Sequence, residues 1–128
     1  MSESIIVQKT GGCHCSAVRF TVRLSDPRAI LCNCSICTKK GFVHLIVAKD
    51  DLHIESGTDV LTDYRFNTRT ARHLFCSICG MHPFYVPRSH PDGWSVNARC
   101  LDDQDFARRI PGDPFDGRHW ESHIDSIR

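Results

Sequence analysis

Seven of the eight cysteines fall into three tight clusters: Cys13-His14-Cys15, Cys32-Asn33-Cys34-Ser35-Ile36-Cys37, and Cys76-Ser77-Ile78-Cys79 followed by Gly80. Zinc needs sulfurs that converge on a point about 2.3 Å away, and a Cys-x-x-Cys turn supplies two because the chain reverses between them. In Cys-x-Cys, side chains i and i+2 of an extended segment lie on one side, so this spacing also serves a single ion. The clusters offer two, three and two ligands. Joining Cys13 and Cys15 to Cys76 and Cys79 closes a tetrahedron and clips the N-terminal segment to a distant knuckle. Cys32, Cys34 and Cys37 then stand alone. Their fourth corner is open to water or a substrate group, as in a catalytic zinc site, or it is filled by Cys100 or a histidine, which would make every cluster structural.

Disulfides are the competing use of so many cysteines. Adjacent Cys-x-Cys bridges are strained. The apolar run Ile5-Ile6-Val7 is too short for a signal-peptide core or a membrane span, so the expected compartment is a reducing cytoplasm where thiols persist. A thioredoxin-like role for either Cys-x-x-Cys lacks the βαβ context it requires.

The other candidate groups read mostly as structure. His44 interrupts the apolar run Phe42 to Val47; it could transfer protons in a pocket, but a packed, hydrogen-bonded strand histidine is the expectation. Lys39 and Lys40 follow the second cluster and could meet a carboxylate, although a Lys pair beside Gly41 reads first as a solvated turn. Arg65, Arg69, Arg72, Arg88 and Arg99 are expected mainly on solvent faces. His119 and His123 have helical ligand spacing but sit in a turn-rich tail, and His82 has no evident partner. Cys100 reads as a small buried residue, and Phe84, Tyr85, Trp94 and Trp120 as core.

The elements that must position these residues are strands. Val18 to Leu24 places apolar residues at even positions only, as in a strand with one buried face. Further strands are expected at Ala29–Asn33, Phe42–Lys49, Leu52–Glu55, Val60–Phe66, Arg72–Phe75, Phe84–Val86 and Trp94–Cys100, with short helical turns at Ser35–Lys39 and Asp103–Arg109. No segment carries a long apolar stripe of helical period. At 128 residues the chain fits a single domain, 1–128, with a polar tail over 113–128 that wraps the domain or frays. A formal net charge of +1 provides no electrostatic case for nucleic acid as a partner.

Gly11-Gly12-Cys13-His14-Cys15-Ser16-Ala17-Val18-Arg19-Phe20, the Cys32 to Cys37 cluster, Phe75-Cys76-Ser77-Ile78-Cys79-Gly80 and Val96-Asn97-Ala98-Arg99-Cys100-Leu101-Asp102 closely resemble the glutathione-dependent formaldehyde-activating enzyme and centromere-protein-V-like family. The resemblance implies a mainly β, β-tent-like fold of short antiparallel strands around two Zn²⁺ ions. It assigns Cys13, Cys15, Cys76 and Cys79 to structural zinc and Cys32, Cys34 and Cys37 to catalytic zinc. It also implies a carbon-sulfur lyase acting on a small thiol such as glutathione with formaldehyde, the alternative being a non-catalytic zinc-stabilised interaction module. One departure is visible: Ser16 stands where the family commonly has glycine, and serine reaches glycine's conformations only with strain.

Overall fold

A computed structural model describes residues 6–66 and 69–126; Ile5 of the apolar run and Ile127 and Arg128 of the tail lie outside these residues. The protein is mainly β. Strand β1 (Ile6–Gly12), which the short apolar run did not reveal, pairs antiparallel with β2 (Arg19–Ser25), and β2 pairs with β5 (Leu52–Ser56). The alternation in β2 is realised as expected: Phe20, Val22 and Leu24 are buried, and the odd positions are more open.

The second sheet has the order β10-β3-β4-β9-β8 and builds the frame of the site. Its strands are β3 (Ala29–Cys32), β4 (His44–Ala48), β8 (Phe84–Tyr85), β9 (Gly93–Asn97) and β10 (Gly112–Phe115). A third, two-stranded sheet joins β6 (Leu61–Tyr64) to β7 (His73–Cys76). Helix α1 (Ser35–Lys40) follows β3, α2 (Gln104–Arg109) is capped by the Asp103 side chain, and α3 is one turn, Trp120–His123. Among the described residues no helix is long and apolar enough to cross a membrane.

Two elements differ from the sequence expectation for identifiable reasons. The strand expected to reach Cys100 stops at Asn97, because Asn97 Oδ1 accepts from the Arg99 backbone N–H and turns Ala98–Cys100 into a 3₁₀ segment. Over residues 113–126 the tail wraps the domain. The Gly112–Phe115 run forms β10 and pairs parallel with β3, in the one parallel pairing among the described strands. Proline is tolerated there because β10 is an edge strand whose outer N–H needs no partner. An Arg28–Asp113 ion pair fastens its start.

The core lies beneath the first two sheets. Phe20 and Phe84 meet edge to face at 5.7 Å, Trp94 packs on Phe84 at 5.4 Å, and the buried Cys13 and Cys76 belong to the same cluster. Apolar packing therefore continues directly into the first cysteine site.

Candidate metal and substrate site

Cys13 and Cys15 leave the end of β1 in a tight turn. The Cys13 N–H donates to Val18 O at 3.0 Å, and the Val18 N–H donates back to Cys13 Sγ at 3.3 Å. Ser16 completes this turn at φ +68°, the left-handed conformation that glycine adopts freely and serine adopts only with strain. Across from it, Cys76 ends β7 and Cys79 follows in a knuckle closed by the Gly80 N–H on Cys76 O at 2.7 Å, with Gly80 at φ +78°.

The four sulfurs of Cys13, Cys15, Cys76 and Cys79 lie within 4.8 Å of one another. Separations of 3.6 Å (Cys13–Cys15) and 3.7 Å (Cys15–Cys76) exclude disulfides, whose sulfurs sit about 2.05 Å apart. They match the edge of about 3.8 Å that a tetrahedron has when each sulfur is about 2.3 Å from its centre. The donor set and spacing fit zinc.

The second cluster is built on the β3–α1 junction. Cys32 ends β3, Cys34 is the N-cap of α1 with its sulfur accepting from the Cys37 N–H at 3.5 Å, and Cys37 lies buried in the helix. The sulfurs again lie within 4.8 Å. Hydrogen bonds from the Cys32 thiol and then the Cys37 thiol bring the Cys34 pKa down to about 2, whereas bonds to Cys32 and Cys34, together with burial, push Cys37 far up. Three thiolates packed this closely repel one another, so a cation is needed for all three to be charged. Thiolate ligands at this spacing fit zinc as the first site does.

The two clusters differ in what they face. Cys32, Cys34 and Cys37 line a cavity of about 550 Å³, and none of the four cysteines of the first cluster does. That volume is ordinary for a small-molecule site. Cys100 joins neither cluster; half-buried, it donates to His82 O at 3.8 Å, and burial raises its thiol to about 12.

On the opposite wall, β4, β7 and β8 present His44, His73 and Tyr85. His44 is buried as expected of a strand histidine, and it also lines the cavity. Its Nδ1 lies 3.0 Å from Ser95 Oγ and 3.1 Å from the Tyr85 hydroxyl, while Nε2 has no hydrogen-bond partner among the described residues. Burial first, then the Lys40 charge, lowers its pKa to about 4, and the same causes bring His73 to about 4, so both rings are neutral near pH 7.

Lys40 corrects the expectation of a solvated Lys pair. Lys39 is exposed, but Gly41 at φ +65° reverses the chain after α1, and Lys40 turns inward over the rings of Phe42 (4.9 Å) and Tyr85 (4.8 Å). Its ammonium donates to His73 Nδ1 at 3.3 Å, and burial lowers its pKa to about 8 against the pull of Cys37 and Cys34.

Of the four aromatics expected in the core, Phe84 is fully buried and Trp94 packs on it. Tyr85 is buried but faces the cavity, and Trp120 lies on the cavity wall beneath the Arg88 guanidinium, 3.7 Å from the ring centroid. Arg65 and Arg72 pair with Asp63, while His119 and His123 are exposed beside Asp116. The half-buried His82 packs its ring on Phe75 at 5.3 Å and does not line the cavity.

Sequence reasoning missed His73, Ser95, Gly117 and Arg118. Alternation gave no signal for His73 or Ser95: Ser95 shares its face with Asn97, opposite Trp94 and Val96, and His73 falls opposite Leu74 and Cys76.

The family model for glutathione-dependent formaldehyde-activating enzymes matches residues 8–111. The crystal structure of a Rhodobacter sphaeroides protein is 35% identical and superposes with a TM-score of 0.68, covering 81% of this chain and 99% of that one. With both cysteine clusters and most of the sheet framework inside the matched span, the chain belongs to the glutathione-dependent formaldehyde-activating enzyme family.

Proposed function

We propose that the protein is a zinc-dependent enzyme that joins a small thiol to an electrophilic carbon, most concretely glutathione to formaldehyde, and in reverse acts as a carbon-sulfur lyase. The observation that carries this reading is the partition of the clusters: four cysteines outside the cavity lining, two of them buried in the core, and three facing a cavity of about 550 Å³. In this reading Cys13, Cys15, Cys76 and Cys79 hold a structural ion, and Cys32, Cys34 and Cys37 hold the ion that takes the substrate thiol.

Bound by three thiolates, zinc supplies a soft centre that favours a fourth sulfur and lowers its pKa toward neutrality. The chain's own residues do the rest. Cys32 on β3, with Cys34 and Cys37 on α1, fixes where the substrate sulfur sits, and the buried wall of His44, His73 and Tyr85 restricts water beside it. The carbon-sulfur bond forms as the carbonyl π pair moves to oxygen, which takes up a proton from solvent in place of the one the thiol released. We take residues 1–128 as one catalytic unit working in a reducing cytoplasm.

The test is turnover of glutathione and formaldehyde by zinc-loaded protein, followed by the hydroxymethyl adduct in NMR, with metal content measured on the same sample. Two zinc ions per chain and adduct exchange faster than the uncatalysed rate are expected. Two zinc ions with no turnover of any thiol would leave the interaction module as the better reading.

A further inference from the structure

We propose that the segment from Gly112 to Glu121 is the substrate-selecting wall of the cavity, and that within it Arg118 binds a carboxylate carried by the thiol substrate. This rests on the thiol-adduct reading above. The family match ends at residue 111, yet Phe115, Gly117, Arg118, Trp120 and Glu121 all line the cavity. One wall of the site therefore comes from chain beyond the matched core.

This wall is built against the three cysteines. The parallel register of β10 on β3 sets Phe115 opposite Cys32, and the Asn33 N–H donates to Phe115 O at 3.2 Å. The Asn33 side chain then holds the next turn at two points: its Nδ2 donates to Asp116 Oδ1 at 3.0 Å, and its Oδ1 accepts from the Arg118 N–H at 3.0 Å. Between them Gly117 lies so close that a Cβ would fall 2.5 Å from Cys32 Sγ. Asn33 itself sits between two of the cysteines, so Arg118 starts one residue from the point of contact with the cluster.

Charge singles out Arg118. The Arg88 guanidinium is bonded to Glu121 at 2.7 Å and stacked on Trp120, and His44 and His73 are neutral. Arg118 makes no ion pair among the described residues. Among the described residues that line the cavity it is the cation without an acidic partner, carried on a backbone fixed beside the sulfur site. A planar guanidinium in that position suits bidentate binding of a carboxylate a few bonds from the substrate sulfur.

The test uses S-methylglutathione, which carries both carboxylates and no free thiol, titrated calorimetrically into the zinc-loaded full-length protein. Arg118 is exposed, so Arg118→Gln should fold normally, with an unchanged circular dichroism spectrum. We expect it to weaken S-methylglutathione binding tenfold or more, Arg118→Lys to recover part of the loss, and the fully esterified ligand to bind parent and variant alike. In turnover, Arg118→Gln should raise KM for glutathione at unchanged kcat and leave KM for cysteamine, which has no carboxylate, as it was. Equal binding of S-methylglutathione to parent and variant, in a parent that turns glutathione over, overturns the role of Arg118 alone. A parent that neither binds S-methylglutathione nor turns over any thiol overturns the thiol-adduct reading, and the role of Arg118 falls with it.

Discussion

The two cysteine clusters use the same side chain for opposite ends. Cys13 and Cys15 meet Cys76 and Cys79 across about half of the chain, with Cys15 and Cys76 61 positions apart, and two of the four, Cys13 and Cys76, are part of the core itself. Cys32, Cys34 and Cys37 sit within six residues on one strand-to-helix junction and open onto the cavity. A metal at the first site closes a long loop of the unfolded chain, whereas one at the second closes only a local loop. On the reading proposed above, folding and substrate binding fall to separate metal positions, so each should be removable without the same consequence.

The largest effect is expected from Cys76→Ser. Structural zinc binding is worth roughly 10–16 kcal/mol, against roughly 5–15 kcal/mol for the net stability of a domain, so losing this ligand should unfold much of the chain. Circular dichroism and zinc analysis of the purified variant check this. A native-like spectrum with full zinc content would erase the distinction between the clusters.

Cys34→Ser should separate the two outcomes. The variant is expected to lose the second zinc and thiol-adduct turnover while its circular dichroism spectrum stays native. Global unfolding would make the second cluster structural as well, and unchanged turnover would remove it from the reaction. Mild chelation of the parent should act in the same direction, stripping the open site before the closed one.

A gentler perturbation of the second site comes from Gly117. Its added methyl in Gly117→Ala would meet Cys32 Sγ at 2.5 Å and Cys34 Cβ at 2.9 Å, so something must move. Zinc affinity of the second site, measured by competition with a chromophoric chelator, should fall about tenfold, with thermal stability nearly unchanged. The smallest effect belongs to the first site. Ser16→Gly removes the strain of a serine at φ +68° and should stabilise the protein by about 1 kcal/mol, part of the strain relief being offset by the greater freedom of glycine in the unfolded chain. A rise of about 4 °C in Tm would show it, and a fall would mean that the serine side chain supports the turn.

Both metal clusters could be read from spacing, because ligand geometry is local: Cys-x-Cys and Cys-x-x-Cys constrain their own backbone. The strained turn at Ser16 was legible only through the family resemblance, which marks glycine as the usual residue there. Strand β2 announced itself through strict alternation. The rest of the cavity was not legible, because it is assembled from distant segments by sheet register. His73 lies on β7, Ser95 on β9 and Arg118 beyond β10, and nothing local to any of them points to Cys34. The strand in the tail was missed for a more specific reason. Gly and Pro signal turns in sequence, but at the edge of a sheet a proline without a partner on its outer side is compatible with a strand, and only the tertiary position of β3 decides it. Lys40 likewise read as solvent-facing until the reversal at Gly41 and the rings of Phe42 and Tyr85 gave its stem somewhere to pack.

The parallel pairing of β10 with β3 also sets an order of events during synthesis. A chain made from its N-terminus presents Cys32, Cys34 and Cys37 long before Phe115 and Gly117 emerge, and the strands that frame them can pair in the interval. Until that segment emerges, the cluster lacks the wall that Phe115 and Gly117 supply. β10 then docks and Gly117 comes to rest on Cys32. On the proposed reading, a metal taken up in that interval would enter from the side that the tail later covers.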